Sequence, residues 1–159
     1  MPVLRYETTV ARPIEDVWAA FQDVAFLPTL TPPSQGLVIE SAEPLPPRLG
    51  TTVMLSVRSP IGRMRWTAEY TDFAPPHATV TGVEARFIDT QTQGPFKRWT
   101  QAHEFEAVDD RRTRCIDVVD YAPPLGPVGW VGDVLVLRWM VRRLLAYRHR
   151  KLVEVFGKG

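Results

Sequence analysis

The sequence predicts an α+β fold in which a curved antiparallel β-sheet packs against one long C-terminal α-helix. Between residues 37 and 121, short segments of alternating apolar and polar residues are separated by turns rich in proline, glycine and aspartate, which is typical of antiparallel strands. Over residues 127–156 the apolar residues follow helical spacing instead. A sheet with one apolar face needs a covering layer, and this helix is long enough to supply it.

The first segment predicts a strand followed by a short helix. Residues 3–10 alternate between apolar and polar side chains. Pro13 suits the first turn of a helix, and the acidic residues that follow it complement the positive end of the helix dipole. Trp18 and Phe21 belong to the apolar stripe of this helix. Residues 26–33 contain three prolines and predict a loop or a broken helical turn.

About six more strands follow, so the sheet is expected to hold about seven. A change of phase in the alternation at Gly82 predicts a β-bulge there. Tight turns are expected at residues 94–95 and 109–110. The strand candidates are residues 37–42, 51–58, 63–73, a segment from Val83, the stretch 94–105 and residues 113–121.

Composition and charge exclude several classes of protein. The 159 residues fit one domain, with 45% hydrophobic and 23% charged residues. The formal net charge of +1 argues against a nucleic-acid binder, which would carry a strong basic excess. A single cysteine excludes an intramolecular disulfide framework and cysteine-based zinc sites. The three histidines lack ligand-like spacing and no glycine-rich phosphate loop is present, so neither a metal nor a cofactor is expected.

The location expected from the sequence is the cytoplasm. Charged residues interrupt every early apolar run, so no signal peptide is predicted. The most apolar stretch, residues 128–145, contains one aspartate and three arginines and therefore does not predict a membrane span. The oligomeric state is left open.

The order of these elements resembles the START-like, helix-grip superfamily, often called SRPBCC, in its polyketide cyclase/dehydrase-like branch. The resemblance covers essentially the whole chain and rests on VARPIEDVWAAFQD, LTPP, IDTQTQGPFKRWTQAHEF, TRCIDVVDY, PLGPVG and YRHRKL, in that order. It implies a seven-stranded sheet wrapped around the C-terminal helix, with an elongated apolar cavity between them. The chain has Gln101 where relatives often carry a further histidine.

The stretch GPFKRWTQAHEF, residues 94–105, interrupts its own apolar face with Gln101 and His103. Counting back from the two tight turns places His103 beside Asp117 and Gln101 beside Val119. If the face were a dry core, each unpaired polar group would cost on the order of 1–3 kcal/mol. A cavity wall resolves the conflict, because water or a ligand can satisfy the polar groups. The polar and aromatic residues expected on this face are Asp89, Gln91, Trp99, Gln101, His103, Asp117 and Tyr121.

His103 and Asp117 are the candidate catalytic pair. A carboxylate beside an imidazole fixes its tautomer and raises its pKa, which suits an acid/base catalyst. The alternative is that the two residues satisfy each other across the sheet or orient a ligand. Cys115 is expected to point away from this face, which leaves no activated nucleophile.

Aromatic residues are candidates for the walls of the cavity. They either form the wall around a flat or hydrophobic ligand or pack the core. These residues are Trp66, Tyr70, Trp99 and Tyr121. Trp139 on the last helix is expected to face the cavity. The mouth is expected to be formed by Leu27, Leu30, Pro32 and Trp130.

The C-terminal helix carries a basic face. It is either solvated surface, or a site of transient contact with anionic membrane or with a protein partner. The residues of this face are Arg138, Arg142, Arg143, Arg148, Arg150 and Lys151.

The expected function is binding or transport of a hydrophobic small molecule, such as a lipid, isoprenoid or polyketide, with its polar end held by Gln101, His103 and Asp117. The alternative is a polyketide cyclase/dehydratase-like enzyme that uses His103 and Asp117 as an acid/base pair. A protein-interaction module is a third possibility.

Overall fold

A computed structural model describes residues 3–59, 62–132 and 136–159 of the chain. Within these residues, seven antiparallel strands form one sheet in the order β1-β7-β6-β5-β4-β3-β2. Strands β2 to β6 each pair with the next strand along the chain, and β1 forms the other edge beside β7. The strands are β1 Val3–Val10, β2 Val38–Glu43, β3 Thr52–Ser59, β4 Gly62–Thr79, β5 Gly82–Gln93, β6 Arg98–Ala107 and β7 Thr113–Ala122.

Four helices accompany the sheet in the described residues. They are α1 Ile14–Phe21, α2 Phe26–Thr29, α3 Gly126–Gly132 and α4 Arg138–Phe156, with a 3₁₀ turn at Pro33–Gln35. Helix α1 packs against β4, β5 and β6, and α4 packs against β1. None of these helices is both long and apolar enough to cross a membrane.

The long helix buries the apolar face that the sequence predicts. Val141, Leu145, Leu152 and Phe156 are all less than a tenth exposed, and they follow one another at steps of four, seven and four residues, as a single helix face requires. The curved seven-stranded sheet around a long C-terminal helix confirms the predicted α+β, helix-grip architecture.

One detail of the predicted fold is wrong. Gly82 is not a bulge: it follows a two-residue turn and begins β5, pairing with Thr79, with a φ of 138° that glycine tolerates. The prediction failed because β4 continues through the two prolines at 75–76, so the change of phase marks a hairpin. The helix expected over residues 127–156 is described as α3 and α4, and Val134 of its predicted apolar stripe lies outside the described residues.

The buried apolar side chains form two clusters. The first core cluster contains Phe105 and Leu152 and packs beneath α1. The second core cluster contains Trp99, Tyr121 and Leu145. Both clusters draw on β6, β7 and α4, so the gap between them runs across the same three elements.

Candidate functional site

A layer of polar side chains separates the two core clusters. Along β6, Trp99 belongs to the second cluster and Phe105 to the first, and the inward residues between them are Gln101 and His103. The same order recurs on β7 and α4. The layer, called here the polar layer, consists of Asp89, Gln101, His103, Asp117, Arg148 and His149.

The strand register brings the predicted residues together. His103 pairs with Asp117, Gln101 with Val119 and Trp99 with Tyr121 across β6 and β7. Asp89 pairs with Gln101 across β5 and β6. The register predicted from the tight turns is therefore confirmed.

Asp117 is the centre of the polar layer. Its Oδ2 lies 2.8 Å from His149 Nε2 on α4, and its Oδ1 accepts a hydrogen bond of 3.0 Å from Gln101 Nε2. His103 Nδ1 lies 2.8 Å from the same Oδ1. The carboxylate is 3% exposed, so three neighbouring side chains replace the water it loses on folding.

His103 is held between two carboxylates. Its Nε2 lies 2.8 Å from Asp89 Oδ2, on the opposite side of the ring from Asp117. The Nδ1 contact to Asp117 is close but poorly aligned as a hydrogen bond, so charge carries most of it. The Phe87 ring stacks on the imidazole with centroids 4.3 Å apart. The ring is thus fixed in position, and an imidazolium there would face aromatic density as well as two anions.

The pKa values of His103 and Asp117 shift in opposite directions. Burial alone lowers the pKa of His103, but the charge of Asp117 and the contacts to Asp117 and Asp89 outweigh it, and the pKa is raised. Burial raises the pKa of Asp117, yet the charge of His103 and the contacts from both histidines hold that pKa well below its usual range. The two residues therefore favour an imidazolium paired with a carboxylate.

Helix α4 contributes two residues that sequence reasoning did not place here. His149 is 7% exposed and bonded to Asp117. Its position between Leu145 and Leu152 on the apolar helix face was the available signal. Arg148 was expected on a solvated basic face, but it is 5% exposed. That expectation is wrong because Arg148 lies on the side of α4 that faces the sheet.

A cavity opens beside the polar layer, between the sheet, α2 and α4. The space that water centres can occupy is about 140 Å³, which is room for on the order of ten waters. Apolar side chains from β3, β4 and the α1–α2 region form most of its wall. Of the residues predicted for the site, its lining includes Trp66, Tyr70, Asp89, Trp99, Gln101 and His103, together with Leu27 and Leu30 of the predicted mouth.

Asp117 lies behind this wall rather than in it. The carboxylate that lines the cavity is Asp89, whose side chain is 19% exposed against 4% for Asp117. Tyr70 lies opposite Asp89 in the β4–β5 register. Burial, and then the charge of Asp89, raise the pKa of the Tyr70 phenol, so this hydroxyl stays protonated.

Several predicted site residues lie elsewhere. Gln91 bonds the backbone of Phe96 through both amide atoms, at 2.7 and 3.4 Å, and so braces the β5–β6 turn. Tyr121 is fully buried in the second core cluster. Pro32 follows α2 outside the cavity lining.

The two tryptophans of the C-terminal region also lie outside the cavity. Trp139, expected to face it, is 57% exposed, and the Arg143 guanidinium lies 4.7 Å from its ring centroid. It falls outside the buried α4 face because that face is set by Val141 and Leu145. Trp130, expected at the mouth, lines a separate surface depression beside Lys97 and Arg98.

Cys115 corrects one expectation about strand faces. It is 2% exposed and lies on the same face as Asp117, in the first core cluster. Residues two apart on a strand share a face, so the prediction that it points away was wrong. Burial raises the pKa of its thiol to about 12, with a smaller contribution from Asp117, so the sulfur is an unreactive core atom.

The chain matches one protein-family model along almost its whole length. Residues 1–157 match the family described as polyketide cyclase/dehydrase and lipid transport. No curated protein matches the chain.

Solved structures share the fold at low identity. The chain is similar to the Zhui aromatase/cyclase of Streptomyces sp. R1128, at 18% identity and a TM-score of 0.58, over 97% of this chain and 95% of that one. A START superfamily protein from Mycobacterium smegmatis aligns at 12% identity and a TM-score of 0.58, over 98% and 94%. Norcoclaurine synthase from Thalictrum flavum, in complex with dopamine and hydroxybenzaldehyde, aligns at 12% identity and a TM-score of 0.63. The alignment covers 97% of this chain and 85% of that one.

Proposed function

Because the chain belongs to the polyketide cyclase/dehydrase and lipid transport family, we propose that it binds and carries a hydrophobic small molecule as one domain of residues 1–159. The observation that carries this proposal is the apolar cavity that ends on the polar layer. A fully packed core would not leave such a space. A purely apolar cavity would not have Asp89, Gln101 and His103 in its wall.

The ligand is amphiphilic in this proposal. Its apolar part packs against the side chains that line the cavity, which include Trp66 and Trp99. The rings of these two tryptophans pack edge to face, with their centroids 5.0 Å apart. Its polar end meets Tyr70, Asp89, Gln101 and His103, and Asp117 fixes His103 and Gln101 from behind. We place the mouth of the cavity beside Leu27, which lines it and is half-buried, whereas Leu30, also predicted for the mouth, is only 2% exposed and belongs to the inner wall. A lipid, an isoprenoid or a polyketide-like molecule has this combination of surfaces.

Filling the cavity tests the proposal. Ala68 of β4 lines the cavity and is 8% exposed, so the larger side chain of Ala68→Phe is expected to occupy the space of the ligand. Native mass spectrometry should then show no ligand-bound species for this variant. Ala78→Phe, on the exposed end of the same strand, is the matched control and should keep the ligand. Equal ligand occupancy in the two variants, both folded, would refute binding in this cavity.

A second function is favoured by the geometry around His103. In this alternative the protein is a cyclase/dehydratase-like enzyme, and the acid/base pair that meets the substrate is His103 with Asp89, since Asp89 lines the cavity. Asp117 then acts as the residue that positions His103. With a polyketide-like substrate, His103→Gln should lower turnover by about 10²-fold or more. Unchanged turnover in that variant would rule out this enzyme.

We also propose transient contact with anionic membrane, at a surface that combines exposed apolar residues with part of the predicted basic face. Apolar side chains around α3 and the start of α4 are exposed, including Val128, Trp130, Val131 and Trp139. The exposed residues Arg142 and Arg143 follow on α4. A carrier of lipophilic molecules needs such a face to load and release its ligand.

A further inference from the structure

Arg148 is a buried cation with no partner among the residues that the structure describes. It lies on α4, is 5% exposed and lines the cavity together with Leu144, one helical turn earlier. Its Nε is buried without a hydrogen bond, and no carboxylate of the described residues lies within 4 Å of its guanidinium. A guanidinium stays charged in proteins, so this charge cannot be removed by losing a proton.

The nearby carboxylates are already occupied. Asp117 contacts His103, His149 and Gln101, and Asp89 contacts His103. Arg148 is close enough to lower the pKa of Asp117, but it is not bonded to it. A buried cation without a carboxylate in contact is unfavourable, and Arg148 lines the cavity, so an anionic group in this cavity would supply the missing contact.

We propose that Arg148 binds the carboxylate of the ligand, so that the molecule carried in the cavity is a hydrophobic carboxylic acid. This rests on the proposed binding function and narrows it to one ligand class. The planar fork of a guanidinium matches the two oxygens of a carboxylate. A dianionic phosphate monoester suits the site less, because Asp89 lines the same cavity and repels a second negative charge.

Paired ligands that differ only in charge test the assignment. The probes are decanoate and methyl decanoate, and isothermal titration calorimetry measures their dissociation constants. The wild-type protein is expected to bind decanoate about tenfold or more tightly than the ester, the size of effect expected for a buried charge pair. Arg148→Met should remove this preference while keeping the affinity for the ester. Arg142→Met, an exposed arginine of the same helix, should behave like the wild type.

The outcomes separate the inference from the function on which it rests. Equal wild-type affinities for the acid and the ester would overturn the role of Arg148 and leave the carrier function standing. Binding of neither probe would overturn both. A preference for decanoate that survives in a folded Arg148→Met variant would also overturn the role of Arg148.

A second measurement needs only the wild-type protein, in case Arg148→Met does not fold. The carboxyl carbon of [1-¹³C]decanoate reports its ionisation in an NMR titration. Bound beside Arg148, the carboxyl is expected to have a lower pKa than in free decanoate, because direct contact with the guanidinium outweighs burial and the charge of Asp89, which both favour the neutral acid. A bound pKa equal to or above the free value would overturn the proposal.

Discussion

His149 Nε2 on α4 lies 2.8 Å from Asp117 Oδ2 on β7, and this contact joins the C-terminal helix to the sheet in the interior of the protein. The same carboxylate contacts His103 and Gln101. On β7, Asp117 lies between Cys115 of the first core cluster and Val119 of the second. On α4, His149 lies between Leu152 of the first core cluster and Leu145 of the second. The helix is therefore fixed against the sheet by a polar contact at the level where apolar packing is interrupted by the cavity.

Removing the charge of Asp117 is expected to destabilise the fold strongly. Asp117→Asn keeps the shape but removes one of the two carboxylates that flank His103 and weakens the contact to His149, and breaking a buried pair costs about 3–5 kcal/mol. Urea unfolding followed by circular dichroism measures this loss.

The matched control for this substitution lies on the same strand. Asp120→Asn breaks an ion pair with Arg98 of 2.6 Å, but both side chains are about two-fifths exposed. Exposed pairs contribute roughly 0–1 kcal/mol, so this variant should unfold nearly as the wild type does. Equal losses in the two variants would mean that Asp117 is not the centre of the polar layer.

The stability of the protein is expected to depend on pH through His103 and Asp117. The folded pKa of His103 is raised above 6.5, so its stabilisation is complete below pH 6.5 and is lost as the pH rises through the folded value. The pKa of Asp117 is lowered below 3.8, so its stabilisation is present above pH 3.8 and is lost as the pH falls through the folded value. The two contributions are therefore greatest together between about pH 4 and 6.5.

Unfolding free energies measured across this range check the prediction. His103→Gln should remove the decline in stability on the alkaline side, whereas His77→Gln, on an exposed part of β4, should keep it. A decline of the same size in both variants would assign the alkaline loss to other groups.

The sequence was sufficient to predict which residues of neighbouring strands meet. Tight turns fix the register of a hairpin, and alternation then fixes the face, so His103, Gln101 and Asp117 were grouped correctly. The error at Cys115 came from applying the alternation wrongly. The error at Gly82 came from reading a hairpin turn as a bulge within a strand.

The residues of α4 could not be placed in the same way. Helical spacing puts His149 on the buried face, but which strand residue it meets depends on how the helix crosses the sheet. That crossing is set by the packing of large side chains in both core clusters. The contact between His149 and Asp117, the buried position of Arg148 and the inner place of Asp117 behind Asp89 therefore required the structure.

Gln91 is expected to stabilise a turn rather than to bind ligand. Its side-chain amide forms hydrogen bonds with the backbone of Phe96, so Gln91→Ala should lower the free energy of unfolding by about 1 kcal/mol. The mass and occupancy of the co-purifying ligand should stay unchanged in native mass spectrometry. The comparison variant is Gln101→Ala, which alters the cavity wall and should reduce occupancy. Loss of ligand in a folded Gln91→Ala variant would contradict this prediction and would show that Gln91 contributes to ligand binding.

The exposed apolar face around α3 is expected to bind anionic vesicles. Val131 is 63% exposed, and burying a valine side chain in the acyl region contributes about 1.5–3 kcal/mol, so Val131→Ser should weaken binding to phosphatidylserine vesicles roughly tenfold. Sedimentation with vesicles measures the partitioning. Val80→Ser, at the fully exposed turn between β4 and β5, removes the same apolar atoms outside the proposed face and should have no effect. Equal partitioning of the two variants would exclude α3 as the contact surface, and wild-type protein that stays in solution would exclude membrane contact.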